Sequence, residues 1–203
     1  MKLLILGAGG RTGRLLVDQA LAAGHIVTAF VHSAGDEIPN ITTVVGDARN
    51  TADLEKALHG QDVVISTLGS SKPGDRMIAS STAALIDAAQ QQNVKRVIMM
   101  SSFLATPNFK PNPIVKLALR VMGSIVRDIN SGEDQLRKSG LDYTIVYATR
   151  LTNEPLNPHY RVVSETEKVG ATDSISRADV AEFLLRQLSD TTYVRKSVLI
   201  TDK

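Results

Sequence analysis

The chain of 203 residues has no cysteine and no tryptophan, and only four phenylalanines and four tyrosines. Without cysteine it forms no disulfide, builds no thiolate zinc site and offers no cysteine nucleophile. That composition fits a reducing compartment, and a cytoplasmic location is expected. Few aromatics leave little surface for stacking nucleic-acid bases, and a formal net charge of +2 gives no general attraction to polyanions. Nucleic-acid binding is therefore not expected. No apolar run is long enough to span a bilayer, and Leu3–Leu6 is too short for a signal peptide, so no membrane contact is expected. His25, His32, His59 and His159 lack metal-ligand spacing, and no metal is expected. There is no internal repeat, linker or low-complexity tract, and the length suits one domain over residues 1–203.

What the chain does have is Leu3–Leu6 running into Gly7-Ala8-Gly9-Gly10-Arg11-Thr12-Gly13, followed by the helix-periodic segment Arg14–Leu21. Strand, glycine turn, helix is the context a dinucleotide-binding site needs. Gly7 permits the tight turn, Gly10 lets the backbone approach a pyrophosphate, and Gly13 lets helix and strand pack closely. The start of the helix then offers free N–H groups and a positive dipole end to phosphates. Glycine turns also close ordinary strand–helix loops. The spacing here is G-x-x-G-x-x-G; Gly9 is present, but Thr12 stands where G-x-G-x-x-G wants glycine.

Further strands are expected at His25–His32, Thr42–Val45, Asp62–Ser66, Arg96–Met100, Tyr143–Tyr147 and Ser197–Thr201. Helices are expected at Asp53–Leu58, Asp75–Gln92, Glu133–Ser139 and Arg177–Ser189. Nearly continuous apolar strands alternating with helices predict an α/β, single-domain Rossmann fold: a parallel, doubly wound sheet with helices on both faces. Its substrate pocket would be formed by the C-terminal part of the chain. Ligands in such sheets bind beyond the carboxyl ends of the strands, so those ends are the candidate site.

The end of the second strand distinguishes NAD from NADP, because a carboxylate there binds the ribose 2′-hydroxyl and repels a 2′-phosphate. The chain has His32-Ser33-Ala34-Gly35, with acids only at Asp36 and Glu37. Arg11 could reach a 2′-phosphate as a charged donor. This favours NADP over NAD, unless Asp36 folds back onto the ribose. Asp47, beside Ala48, is either an acceptor for the adenine amino group or an N-cap or turn aspartate. Leu68-Gly69 ends the fourth strand, and Gly69 either admits a cofactor close to the backbone or simply turns the chain. Ser101 and Ser102 end the fifth, where a hydroxyl orients a carbonyl or relays a proton, or is an ordinary turn residue. Ser102 is the candidate catalytic residue. Glu133 and Asp134 are adjacent and share no helical face.

Together these residues resemble the atypical short-chain dehydrogenase/reductases of the NAD(P)H-binding, NmrA-like family, in particular the biliverdin-IXβ reductase/flavin reductase type. The resemblance spans nearly the whole chain. It rests on Gly7–Gly13, Val44–Asp47, Gly60–Ile65, Ser101-Ser102, Leu136–Tyr143 and Asp173–Leu185 with its Ile175-Ser176-Arg177-Ala178-Asp179-Val180-Ala181. It implies that Gly7, Gly10, Arg11, Thr12 and Gly13 hold the pyrophosphate, with Gly9 in the same turn. His32 and Ser33 would meet the 2′ position, and Asp47 and Ala48 would flank adenine. Leu68 and Gly69 would line the ribose side, while Ser101, Ser102, Arg150 and Leu151 would surround the nicotinamide.

Three departures matter. The short-chain dehydrogenase pair Tyr-x-x-x-Lys is absent: Tyr143, Tyr147, Tyr160 and Tyr193 are followed four residues on by Tyr147, Leu151, Ser164 and Ser197. The flavin reductase type has arginine where His32 stands and histidine where Arg150 falls. A conjugated acceptor already delocalises the charge that hydride delivers, and positioning supplies much of the barrier reduction, so reduction needs no side-chain acid. Phe103 and Phe109, with Pro107, Pro111 and Pro113, suit a loop covering a flat ring; Ile114–Met122 reads as an apolar helix packed on the sheet, with a lid or subunit contact as the alternative. Two functions follow. One is an NADPH-dependent reductase of a small flavin-, quinone- or tetrapyrrole-like acceptor, as a monomer or weak homodimer. The other is an NAD(P)-binding redox-sensing regulator without turnover.

Overall fold

The computed structural model describes all residues except 70, 71, 107, 112, 165 and 203, and leaves the side chains of 114–122 undescribed. In chain order the elements are β1 (Lys2–Leu6), α1 (Arg11–Ala22), β2 (Ile26–Val31), β3 (Thr42–Val45), α2 (Thr51–Leu58), β4 (Val63–Ser66), α3 (Met77–Gln91) and β5 (Arg96–Ser102). Then follow α4 (Pro113–Lys138), β6 (Asp142–Ala148), β7 (Arg150–Thr152), β8 (Arg161–Val162), β9 (Ser174–Ser176), α5 (Arg177–Arg186) and β10 (Lys196–Thr201). One eight-stranded sheet runs in the order β3-β2-β1-β4-β5-β6-β10-β8. Every pairing is parallel except that of β8 with β10.

The doubly wound reading holds, and the side chains show why. Leu3, Leu4, Ile5 and Leu6 are all fully buried, as a strand covered on both faces requires. Leu4 and Leu6 pack with Leu54 of α2, Leu85 of α3 and Leu136 of α4. Leu3 and Ile5 face the other way, onto Leu16 of α1 and Phe183 of α5. A strand turns successive side chains to opposite faces, so an unbroken apolar run feeds two cores. Each fully buried Leu, Ile or Phe contributes about 1.5–3 kcal/mol.

Three features depart from the sequence reading. The expected helices at 114–122 and 133–139 belong to one 26-residue helix, α4, that passes through Gly123 and Gly132. Gly132 is needed there because a Cβ would sit 2.9 Å from Ile78 Cγ2 and 3.0 Å from its carbonyl oxygen on α3. Ser101 and Ser102 lie inside β5 rather than beyond it. Arg150 and Leu151 form β7, which pairs with β9 in a separate two-stranded sheet. The expected packing of residues 114–122 on the sheet, and its alternative as a lid or subunit contact, fall on side chains outside the description.

Helix α3 shows how α4 positions the site. Its N-cap, Arg76, has a φ of 49° and supplies no side-chain cap. The buried Asp128 of α4 does so instead, accepting the Ile78 N–H at 3.0 Å and the Ala79 N–H at 2.9 Å. A carboxylate there also meets the positive end of the helix dipole.

Candidate functional site

β4 sits beside β1 on the side opposite β2, so the connections after β1 and β3 run to opposite sides and leave a crevice at the strand ends. The glycine turn forms its floor. Gly7 has a φ of +78°, and a Cβ on it would meet Thr67 Oγ1 at 3.0 Å. Gly13 is tighter still, since a Cβ there would lie 2.1 Å from the Gly7 carbonyl oxygen. Helix α1 begins after Gly10 with no side-chain cap. The first-turn N–H groups of Arg11, Thr12 and Gly13 are thus left for an anion in the crevice.

Two cavities meet over this floor. The first, of about 590 Å³, is lined by Gly7, Gly9, Gly10, His32, Asp47 and Ala48, and reaches Leu68 and Gly69. Asp47 carries both of its sequence readings. It lines the cavity, yet its carboxylate is held by the Arg49 guanidinium at 2.8 and 3.0 Å and accepts the Arg49 backbone N–H at 2.9 Å. These bonds, with a smaller contribution from the His32 charge, hold its carboxyl below the ordinary range. Asp36 also lines this cavity, and a Cβ on Gly9 would meet its Cβ at 3.3 Å. The acid that could fold back on the ribose therefore stands against the glycine turn.

Four expected contacts lie outside the cavity linings. Thr12 and Gly13 are buried in the first turn of α1, where their backbone faces the crevice floor. Ser33 is exposed, leading into the 3₁₀ turn Ala34–Asp36. Arg11 is exposed and stands close enough to Arg177 to repel it: burial, and then the Arg11 charge, push the Arg177 guanidinium below its ordinary value. The two arginines come near one another because α1 packs alongside α5, which begins at Arg177.

The second cavity, of about 360 Å³, shares Leu68 and Gly69 with the first. Its wall is largely apolar, with Met99, Met100, Phe103, Leu104, Ile125 and Ile129. Ser101, Ser102, Arg150 and Leu151 line it too. Phe109 stands behind Phe103 in an edge-on contact with centroids 4.9 Å apart, so only the nearer ring reaches the cavity. The Thr82 hydroxyl in this wall is buried without a hydrogen-bond partner among the described residues.

The two serines differ in their bonding. Ser102 Oγ accepts the Leu104 N–H at 3.3 Å, which leaves its own proton free. Ser101 Oγ donates to Glu133 Oε1 at 2.5 Å. Glu133 is 1% exposed and also accepts from Tyr147 Oη at 2.6 Å and Arg137 Nη2 at 2.8 Å. Burial, and then the Glu133 charge, push the Tyr147 phenol above its ordinary value. Sequence reasoning set Glu133 aside because Asp134 adjoins it. Its partner is 32 residues away on β5, and no local spacing carries that signal. Arg177, Arg49 and Lys72 were also missed as lining residues. Among the described residues no group of three or more His, Asp or Glu is placed to hold a metal ion.

A glycine-floored crevice at the switch point of a parallel sheet defines a Rossmann dinucleotide-binding protein. The chain belongs to the NAD(P)H-binding family, whose profile matches residues 7–191. It is 31% identical over 204 residues to an uncharacterized chloroplastic protein of Arabidopsis thaliana, covering 92% of this chain and 71% of that one. It is 26% identical to a photosystem II assembly factor of Cyanophora paradoxa, covering 93% of this chain but 59% of that one. A short-chain dehydrogenase/reductase from Veillonella parvula superposes with a TM-score of 0.81 at 25% identity, covering 99% and 94% of the two chains. An NADP complex of a Veillonella parvula short-chain dehydrogenase/reductase gives 0.79 at 24% identity, covering 98% and 93%. ChuY, an anaerobilin reductase from Escherichia coli, gives 0.82 at 21% identity, covering 98% and 96%. Among the described residues no helix is long and apolar enough to cross a membrane.

Proposed function

We propose that the chain is an NAD(P)H-dependent reductase that passes hydride to a small conjugated acceptor of the flavin, quinone or tetrapyrrole type. The observation that carries this reading is the junction at Leu68–Gly69 of the charged cavity over the glycine turn with a largely apolar cavity that bears Ser101 and Ser102. The residues fit a dinucleotide. The crowded Gly7–Gly13 floor and the uncapped start of α1 suit a pyrophosphate, with Arg11 beside it. Asp47 and Ala48 would flank the adenine, and His32, Ser33 and Asp36 the 2′ position. When bound, a reduced nicotinamide supplies the hydride, and the acceptor leaves carrying that hydride and one proton taken from water.

The chain's own residues position and exclude. The Met99–Phe103 wall keeps water from a flat ring and holds it near Ser101 and Ser102. Ser102 donates a hydrogen bond, whereas Ser101, its proton committed to Glu133, only accepts one. No Tyr/Lys pair is needed when the ring itself spreads the incoming charge and alignment lowers the barrier. His32 and Lys72 attract a 2′-phosphate and Asp36 opposes it, so NADPH is preferred over NADH by less than about tenfold. The chain would act in the cytoplasm as a monomer or weak homodimer.

The test follows nicotinamide absorbance with NADPH or NADH, with and without oxidised FMN or a quinone. Oxidation that requires the acceptor and survives Ser102→Ala supports a positioning reductase. Tight dinucleotide binding with no oxidation by any flavin or quinone overturns it in favour of a redox-sensing regulator.

A further inference from the structure

The second cavity has a one-sided charge. Among its lining residues there is no aspartate or glutamate, but there are two arginines, Arg150 and Arg177. The contrast with the first cavity is sharp, because there Asp36, Asp47 and Asp75 offset Arg49 and Lys72. Arg49 is itself tied down by Asp47 at 2.8 Å and Asp75 at 3.6 Å. Among the described residues the arginines of the second cavity have no such acidic partner. The Arg150 guanidinium makes no hydrogen bond or ion pair among the described residues; only its backbone is engaged, donating to the Asp173 carbonyl at 3.1 Å. Arg177 is anchored through Nη1 alone, to the Thr152 carbonyl at 2.9 Å and Asn153 Oδ1 at 2.7 Å. Its partners are neutral, so its charge is not compensated either. Two buried carboxylates stand behind this wall, and both are engaged: Glu133 by Ser101, Tyr147 and Arg137, and Asp128 by the Ile78 and Ala79 N–H groups.

We propose that the molecule held in this cavity is a flat apolar ring that carries an anionic group, a carboxylate or a phosphate, and that Arg150 binds that group with Arg177 beside it. The inference deepens the reductase reading and rests on it for the identity of the molecule as the hydride acceptor. An arginine fork matches both anions in geometry. The apolar wall excludes water around the ring, which strengthens an ion pair at its edge. Arg11 stands at the start of α1, beside the glycine turn where a pyrophosphate would lie, whereas Arg150 comes from β7 beyond the serine strand. The dinucleotide's own phosphates therefore have a separate cation.

FMN and riboflavin share one ring system and differ by a phosphate, so they serve as a matched pair of probes. Their equilibrium binding to the protein saturated with NADP⁺ is read from quenching of flavin fluorescence, which needs no turnover. Arg150 is exposed at the rim of the cavity, so the pair stays partly solvated, and in the unaltered protein FMN binds about tenfold tighter than riboflavin, the scale of one charge-assisted arginine–anion contact. In Arg150→Gln that ratio falls to within about twofold of unity, and Arg150→Lys recovers part of it. Using the ratio removes any general damage to the pocket.

Equal affinity of the two flavins in the unaltered protein, or failure of both to bind, overturns the proposal. So does an equal loss of NADP⁺ affinity in Arg150→Gln, since the arginine would then serve the dinucleotide. To distinguish the anions, the same ratio is measured for a carboxylated flavin against its amide; preference for FMN alone assigns a phosphate. Arg150-dependent FMN binding without NADPH oxidation sustains the anion site while the reductase reading fails.

Discussion

Glu133 is the buried charge on which the serine wall depends, and its removal gives a worked prediction. Its carboxylate takes three donors: Ser101 Oγ at 2.5 Å, Tyr147 Oη at 2.6 Å and Arg137 Nη2 at 2.8 Å. The Arg137 side chain is 33% exposed and also bonds Asp134 at 3.0 Å, so solvent and a second acid take up its loss and its share is small. The two hydroxyl bonds are sheltered, and each is a hydrogen bond to a charged acceptor worth about 1.5–3 kcal/mol. Glu133→Ala therefore destabilises the fold by about 3–5 kcal/mol, in the range for breaking a buried charged network. Glu133→Gln keeps the volume and one accepting oxygen, and its amide can donate to a rotated hydroxyl, so it loses about 1–2 kcal/mol. Urea unfolding followed by circular dichroism measures both, with an unchanged m-value as the control. A loss below about 1 kcal/mol for Glu133→Ala, or equal losses for the two variants, would refute the assignment of this network as a support of the site.

Three further outcomes follow from the same geometry. Gly13→Ala forces a methyl group to within 2.1 Å of the Gly7 carbonyl oxygen; it weakens NADPH binding by about a hundredfold or more or prevents folding, whereas Gly35→Ala, in open space on an exposed turn, changes stability by less than about 1 kcal/mol, read by fluorescence titration and thermal melts. Asp128→Ala leaves the start of α3 uncapped inside the protein and lowers stability by about 2–3 kcal/mol, with Asp128→Asn losing less, by urea titration. Tyr147 and Tyr160 have phenols raised above their ordinary value, in each case first by burial and then through a carboxylate, Glu133 or Glu182. A folded-state pKa above the unfolded one of about 10 means that the folded form binds more protons in alkali. The stability from these two groups is full below about pH 10 and is lost as pH rises toward their folded pKa values. The melting temperature should fall above that pH, and less so in Tyr147→Phe; a flat profile would contradict this.

The strands and the cofactor crevice were legible because they depend on local pattern. An apolar run ending in glycines marks a buried strand and its turn wherever it occurs, and Gly7–Gly13 did so here. β3 at Thr42–Val45 was read to the residue. The short strands β7, β8 and β9 have two or three residues each, too few for a period to show. Helix α4 was read as two pieces, 114–122 and 133–139, with Gly123 and Gly132 between them. Gly132 is there to let α3 approach, which is a fact of packing and not of propensity. The second cavity was less legible for a related reason. Arg150 was expected there, but Arg177, Thr82 and Glu133 come from α5, α3 and α4, and only the fold brings them to its wall or behind it. Asp36 was visible, but only the fold puts it beside Gly9.

In the proposed complex one molecule of dinucleotide and one acceptor lie end to end across Leu68–Gly69. A crystal structure of the protein with NADP⁺ and FMN tests it most directly. Adenosine is expected between His32 and Asp47, pyrophosphate on the first turn of α1, and nicotinamide facing the flavin ring beside Ser101 and Ser102. A dinucleotide lying elsewhere, or a flavin bound away from the Met99–Phe103 wall, would contradict it.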